Sequence, residues 1–268
     1  MERSGLAKSR PAVPIHGAAA FEGMRRAGRL AAEILDLVDA HVRPGATTGA
    51  LDALMHRAIE DAGATPAPLG YRGYPKATCI SLNHVVCHGI PGDRKLKDGD
   101  ILNIDVTVVL DGWHGDSSRM YFAGKPPVKA RRLCRVTFES LWKGIEQVRP
   151  GATLGDVGHA IQRHAESHRL SVVRDYCGHG IGRVFHDAPS VLHYGKPGDS
   201  LPLEPGMIFT IEPMINLGTF ETKLLADGWT VVTKDRQLSA QFEHTVGVTD
   251  DGCEVFTLSP AGKHHPVW

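Results

Sequence analysis

The sequence has no excess of charge of either sign, no paired-cysteine motif and no long apolar run, and each absence removes a class of protein. With 30 basic residues against 30 acidic ones, no global field draws the chain to nucleic acid or to an anionic membrane, and no nucleic-acid-binding motif stands out. Cys79, Cys87, Cys134, Cys177 and Cys253 are odd in number, widely spaced and without a CxxC, which argues against a disulfide framework and for a reducing compartment. No stretch approaches membrane-spanning length, and Met1 to Gly17 is basic but lacks the apolar centre of a signal peptide. A cytoplasmic protein without a membrane partner is expected. What remains is ordinary for a soluble globular chain: 268 residues, 42% apolar and 22% charged, enough for one large domain or two small ones with a substantial core.

The stretch from Ile101 to Tyr121 reads as two strands folded about Asp111-Gly112, with a carboxylate on each arm. Leu102, Ile104, Val106, Val108 and Leu110 form an apolar face, while the odd positions are largely polar. Aspartate is depleted from strand interiors, so Asp105 needs a reason that β propensity does not supply. A two-residue type I′ turn at Asp-Gly sets Leu110 opposite Trp113 and Thr107 opposite Asp116, which makes Asp105 and Asp116 diagonal neighbours. Diagonal positions lie about 7 to 8 Å apart, close enough for two carboxylates to converge on one or two cations. The hairpin alone leaves a second reading open, in which the odd face is solvated and the aspartates are incidental.

Before the hairpin, residues 1–17 carry several prolines and basic residues with no apolar period and read as a short, loosely held arm. Pro11 and Pro14 form a PxxP, too common a pattern to imply a partner. From Phe21 the apolar positions Leu30, Ile34, Leu37, Val38 and Val42 keep a helical period that ends at Pro44-Gly45. Thr47 or Thr48 then caps a second helix, carrying Leu51, Leu54, Met55 and Ile59, that stops near Gly63. The same grammar recurs: Arg43-Pro-Gly-Ala-Thr-Thr-Gly49 is matched by Arg149-Pro-Gly-Ala-Thr-Leu-Gly155, and at the same offset Arg25-Arg26 meets Arg131-Arg132, Leu35 meets Leu141 and Val42 meets Val148. Two related halves are therefore expected, roughly 18–124 and 125–260, within one domain spanning 18–268. Each has two helices and a strand-rich segment, an α/β (α+β) unit duplicated about an approximate two-fold axis, with antiparallel-rich sheets under helices. The cleft between halves is the natural place for a site.

Three further stretches carry candidate chemistry. Cys177-Gly-His-Gly-Ile-Gly182 flanks His179 with glycines that let the backbone approach closely. In Phe209-Thr-Ile-Glu-Pro-Met214, Pro213 biases Glu212 to an extended conformation among apolar neighbours, and buried carboxylates are generally paired or bound to metal. Gln241-Phe-Glu-His-Thr-Val246 alternates around Glu243 in the same way. Two aspartates, one histidine and two glutamates make an oxygen-rich set with one nitrogen, suited to Mn²⁺, Fe²⁺, Co²⁺ or Zn²⁺ in a two-metal arrangement.

These residues carry a family resemblance. Tyr71 to Asn83, Val85 to Pro91, Asp98 to Thr107, His114 to Met120, Gly178 to Gly182, Ile211 to Met214 and Ser239 to Thr245 together resemble the type I methionine aminopeptidases, over about Phe21 to Leu258. The resemblance implies the duplicated "pita-bread" fold with pseudo-two-fold symmetry. It implies five ligands for two divalent ions (Co, Mn, Fe or Zn), with Asp116 and Glu243 bridging, Asp105 on one ion, and His179 with Glu212 on the other. It implies a dinuclear-metal-activated hydroxide that attacks the first peptide carbonyl, Glu212 as proton shuttle, one ion on the free α-amino group, and His88 and His186 contacting the scissile amide. The implied methionine pocket is Tyr71, Tyr74, Cys79, Phe185 and Trp229. Upstream, Thr65-Pro-Ala-Pro68 departs from members with a cysteine at that rim. Asn83, Val85 and Ser239 match a site for one monovalent cation (Na or K). The valines around His84, Cys87 and His88 indicate a strand on which Cys87 points away from both histidines, against a zinc motif.

The implied function is an aminopeptidase that excises the initiator methionine from nascent polypeptide N-termini, acting as a monomer. No long zinc-binding extension precedes Phe21, so ribosome recruitment would need another feature. The basic run Lys125 to Arg135 reads as a solvated helix start. Two rivals stand beside this reading: an exopeptidase of the same fold that cleaves X-Pro bonds, whose members usually carry an extra N-terminal domain, and a binding module that has lost catalysis.

Overall fold

A computed structural model of the chain describes residues 12–268. Most of the expected arm, and Pro11 of its PxxP, lie outside the described residues. Residues 12–17 are not loose: Val13 packs on the core of the second half, and the His16 N–H donates to the Gly206 carbonyl at 2.8 Å.

Helix α1 (Ala18–Asp39) is followed by α2 (Thr48–Asp61). The first begins three positions before Phe21 and ends before Val42, because the chain tightens at His41, whose N–H turns back to the Val38 carbonyl. Strands β1 (Thr65–Pro66), β2 (Cys79–Leu82), β3 (Val85–Cys87), β4 (Asp100–Leu110) and β5 (Trp113–Ala123) complete the first half. Helices α3 (Val128–Ile145) and α4 (Leu154–Ser167) open the second. There follow β6 (Ser171–Val172), β7 (Gly178–Gly180), β8 (Asp187–Val191), β9 (Ile208–Ile211), β10 (Met214–Asn216), β11 (Thr222–Leu224), β12 (Val231–Thr233), β13 (Ser239–Gln241), β14 (His244–Val248) and β15 (Cys253–Val255).

The repeat is visible in three dimensions. The offset that carries Arg43 to Arg149 carries both ends of α2 onto both ends of α4, and the caps Thr47 and Thr153 onto each other. Gly45 and Gly151 within the repeated heptapeptide both have positive φ, 90° and 83°, which is why glycine follows proline in each.

In the first half β4 is central, pairing antiparallel with β1, β2 and β5. Leu102, Ile104, Val106 and Val108 join Ile34, Leu35, Leu51, Met55 and Ile59 in one core under α1 and α2. The opposite face is not wet, as a one-sided sheet would be. Asn103 and Thr107 are buried, and Ile101 with Met120 of β5 belongs to the second core, among residues of α3 and α4. This face meets the second half, so its polar residues need partners from across the seam. The Asn103 amide donates to the Gln241 carbonyl at 2.9 Å, and past the edge of β5 the Ser117 hydroxyl, from the other face, donates to the Glu243 carbonyl at 2.8 Å. The second half continues as β15-β14-β9-β7-β8 and β13-β10-β6, and β3 crosses to pair with β12.

Candidate metal centre and substrate cavity

The β4–β5 hairpin has the register that its Asp-Gly turn dictates. Asp111 and Gly112 both take positive φ, Leu110 pairs with Trp113, Thr107 with Asp116 and Asp105 with Ser118, so the two carboxylates sit diagonally on the seam face. The Thr107 hydroxyl donates to Asp116 Oδ1 at 2.7 Å.

His179 comes from β7. A Cβ on Gly178 would strike the Thr210 carbonyl oxygen and one on Gly180 the Ala188 carbonyl, so only glycines let the short strand carrying His179 lie this close to its neighbours. The His179 Nδ1–H donates to the Gly180 carbonyl at 3.0 Å, which turns Nε2 toward the carboxylates, 3.6 Å from Asp116 and 3.7 Å from Glu212. Glu212 lies in the gap between β9 and β10, and Glu243 in the gap between β13 and β14. The Thr210 hydroxyl and the Gln241 amide donate to Glu212 at 2.9 and 3.2 Å, while its backbone N–H donates to His193 Nε2 at 3.0 Å. Glu243 is tied across the seam, its N–H donating to the Ser118 carbonyl at 3.0 Å.

All five expected ligand residues line one cavity. The side chains of Asp116, His179 and Glu212 are only 5%, 13% and 14% exposed, so water does little to separate their charges. Burial first, and then mutual repulsion, pushes the Asp105 and Glu243 carboxyls well up. Glu212 is pushed up to about 7, by burial and Asp116 against the opposing pull of His179 and Thr210. On His179 burial acts downward, but Asp116 and Glu212 outweigh it and raise the imidazole. Asp105 Oδ1 is buried with no hydrogen-bond partner. Ligand atoms of Asp116, His179 and Glu243 lie within 4.8 Å of one another. Four crowded carboxyls, one orphaned buried oxygen and an imidazole nitrogen with its partner nitrogen already bonded are a set that fits divalent cations.

The cavity has a volume of about 360 Å³, and its wall includes every expected pocket residue: Tyr71, Tyr74, Cys79, Phe185 and Trp229, with His88 and His186. Tyr74 is fixed by bonds from its hydroxyl to the Thr78 and Gly89 carbonyls, both 3.0 Å, and Trp229 meets it edge-on at 5.1 Å. Tyr71 lies 4.9 Å from Phe185 and stacks on His186 at 5.2 Å. The His186 ring lies 4.2 Å from His179, and desolvation followed by the His179 charge lowers its basicity. Pro68, at the rim where the sequence departs from the resemblance, lines the wall as well.

One expectation fails. Both Cys87 and His88 line the cavity, because β3 ends at Cys87 and His88 turns to a φ of 55°, which breaks strand alternation; His84 is not in the lining. At the expected monovalent site, the Asn83 carbonyl accepts the Ser239 N–H at 2.9 Å, the Asn83 amide donates to Asp100, and the Ser239 hydroxyl is buried without a partner. Val85 opens β3 nearby. Thr107, Thr210, Gln241 and His193 were not among the sequence candidates. A signal existed for the first two and for Gln241: each stands on the same strand face as a ligand, opposite Asp116 or two residues before a glutamate.

Comparison with known proteins agrees with this geometry. The family model described as metallopeptidase family M24 matches residues 22–250. A methionine aminopeptidase from Rickettsia prowazekii (strain Madrid E) is 60% identical over 257 residues, 96% of this chain and 99% of that one. The chain belongs to the methionine aminopeptidases of metallopeptidase family M24. Another member, from Escherichia coli (strain K12), is 57% identical over 240 residues, covering 89% of this chain and 91% of that one. The crystal structure of the Rickettsia prowazekii methionine aminopeptidase superposes with a TM-score of 0.92 at 60% identity, over 92% of this chain and all of that one. The prolidase from Pyrococcus horikoshii OT3 shares the fold, with a TM-score of 0.72 at 19% identity, and this chain covers 63% of it. The fold is therefore the M24 pita-bread, and the chain is a metallopeptidase.

Proposed function

We propose that this chain removes the initiator methionine from nascent polypeptides in the cytoplasm, with Asp105, Asp116, His179, Glu212 and Glu243 holding two divalent ions (Co, Mn, Fe or Zn). The observation that carries the reading is the junction of a carboxylate-rich, buried ligand set with an apolar, partly aromatic cavity large enough for one unbranched side chain. Ions held there would supply Lewis acidity at the scissile carbonyl and would make water acidic enough to act as a nucleophile at neutral pH.

The chain's own groups do the rest. Glu212, held by Thr210 and Gln241 in the cavity wall, is placed to take a proton from the attacking water and pass it to the leaving amine. His186 and His88 have lowered basicity and stay neutral near pH 7, so each can donate one N–H to the carbonyl or amide of the substrate as charge develops. Tyr71, Phe185 and Trp229 exclude water and meet the thioether, a sulfur-aromatic contact worth roughly 0.3 to 1.5 kcal/mol. Asn83, Val85 and Ser239 are proposed to hold one Na⁺ or K⁺, and a Tm that is the same in Na⁺, K⁺ and a bulky organic cation would remove that part of the reading.

The test compares kcat/KM for peptides that vary only the first two residues. Methionine followed by Gly, Ala or Ser should be cleaved best, norleucine only modestly less well, and leucine clearly worse, because a branched side chain does not fit a narrow slot. Charged first residues should fail, since nothing in the wall pairs with them. Efficient cleavage of N-terminal lysine, or of X-Pro peptides whatever X is, would overturn the methionine assignment and leave the metal site standing.

A further inference from the structure

Helices α3 and α4 pack tightly where Gly144 admits Ile161: a Cβ on that glycine would meet the Ile161 Cδ1 at 2.7 Å. On the outer side of the same helix pair stands a cluster that the peptidase chemistry does not use. His164 and His168 are one turn apart on α4 and its C-cap, their rings 4.9 Å from each other, and Glu139 reaches them from α3. The Glu139 carboxylate lies 3.1 Å from His164 Nε2, and one ligand atom from each of the three residues lies within 4.8 Å of the others. All three are half-buried, so their rotamers are restrained while water still reaches them.

A hydrogen bond accounts for His164 and Glu139 alone. It gives no role to His168, whose ring makes no hydrogen bond among the described residues. Two imidazoles at helical spacing with a carboxylate from a facing helix are a ligand set for a Zn²⁺-class ion, with water completing the shell. The set is richer in nitrogen than the catalytic one and so favours borderline metals over Mg²⁺ or Ca²⁺. The negative end of the α4 dipole adds to the attraction. Arg135, with Nε 3.7 Å from the other oxygen of Glu139, is the competing cation.

We infer that Glu139, His164 and His168 form a second metal site, separate from the catalytic centre, which takes Zn²⁺ and clasps α3 to α4. The step is simple coordination: Zn²⁺ replaces any proton on the imidazoles and bonds to one nitrogen of each and to one Glu139 oxygen. Binding to the folded state alone raises stability with metal concentration.

The test uses the full chain, stripped with chelator and then dialysed against Zn²⁺, with bound metal counted per chain. The unaltered protein should hold one more equivalent than His168→Ala or Glu139→Gln. The same variants should keep Mn²⁺-supported peptidase activity. Removing a direct ligand should weaken the site by more than the roughly 10- to 100-fold typical of an outer-shell partner. With Co²⁺ as the probe, one tetrahedral absorption component should vanish in the variants. Arg135→Gln should bind Zn²⁺ more tightly. Equal metal content and equal Co²⁺ spectra in the unaltered chain and in whichever variants fold would overturn the inference.

Discussion

The two halves share helices, caps and a turn motif, but they present their candidate ligands differently. The first half uses one uninterrupted hairpin, eleven residues on each strand, and places both of its candidate ligands, Asp105 and Asp116, on it. The second uses short strands and sets two candidate ligands where the ladder breaks, Glu212 between β9 and β10 and Glu243 between β13 and β14. A continuous ladder sets both aspartates on one face by register alone. At the breaks, neighbouring strands hold the glutamates instead: Thr210 and Gln241 bond the Glu212 carboxylate, and the Glu243 N–H bonds the Ser118 carbonyl. One scaffold occurs twice, and each copy holds its acidic residues by different means.

The largest effect should come from replacing the bridging candidates, one from each half. Asp116→Asn and Glu243→Gln should each lower kcat/KM by more than the roughly 10- to 100-fold cost of losing an outer-shell partner. Each should also raise the Tm of the metal-stripped chain, because one of several repelling buried carboxyls is gone. A large activity loss from one half only would break the equivalence of the two.

Second is the pH dependence of metal stabilisation. Asp105, Glu243 and Glu212 have folded pKa values above their unfolded ones, so the folded, metal-free chain binds more protons than the unfolded chain. Their contribution to stability is therefore intact below the unfolded value and is lost as pH rises through the folded one, which for Glu212 is about 7. His193 and His244 run the other way. Burial lowers each to about 3, so they cost stability as pH falls below the unfolded imidazole value. That cost is common to loaded and stripped protein and drops out of the difference. Added Mn²⁺ should thus raise Tm by more at pH 8 than at pH 5.5, as scanning calorimetry would read, and an equal rise at both would contradict the carboxyl shifts.

Third, two threonines sharpen the contrast. Thr107→Val removes one bond to Asp116 on a continuous strand. Thr210→Val removes a bond to Glu212 and also the oxygen that accepts the His179 N–H. Both should lower kcat within the roughly 10- to 100-fold range of outer-shell losses, with Thr210→Val the worse. The smallest effect concerns the caps. Thr153 forms a reciprocal capping box with Asp156, whereas Thr47 accepts one bond from Ala50. Thr153→Ala should cost about 1 kcal/mol in urea denaturation and Thr47→Ala less.

The difference between the halves also decided what could be read in advance. Asp-Gly fixes hairpin register by local chemistry, so the pairing of Thr107 with Asp116 was legible from residues alone. The repeat was legible because the turn motif is nearly identical in both copies. The five candidate ligands were legible as separate anomalies: an aspartate mid-strand and its diagonal neighbour, a glycine-flanked histidine, and glutamates among apolar neighbours. Their convergence was not, since it depends on contacts between strands far apart in sequence, and the family resemblance supplied it. His193 under the Glu212 backbone gave no local sign. Cys87 and His88 misled, because strand alternation holds only while φ stays negative. The start of α1 was misplaced because Gly17 caps it with no side-chain bond to mark the boundary.

Ile101 and Met120 lie on the first-half hairpin yet complete the core of the second half. A lone unit with such a hairpin would present both to water, and the simplest cover for that face is another copy of itself. Joining two copies in one polypeptide makes the cover permanent and removes any dependence on protein concentration. It also frees the copies from having to match. In a symmetric pair every change at the junction would occur twice, whereas in a fused one an aspartate on one side can face a glutamate on the other, and a histidine can be added to one side alone.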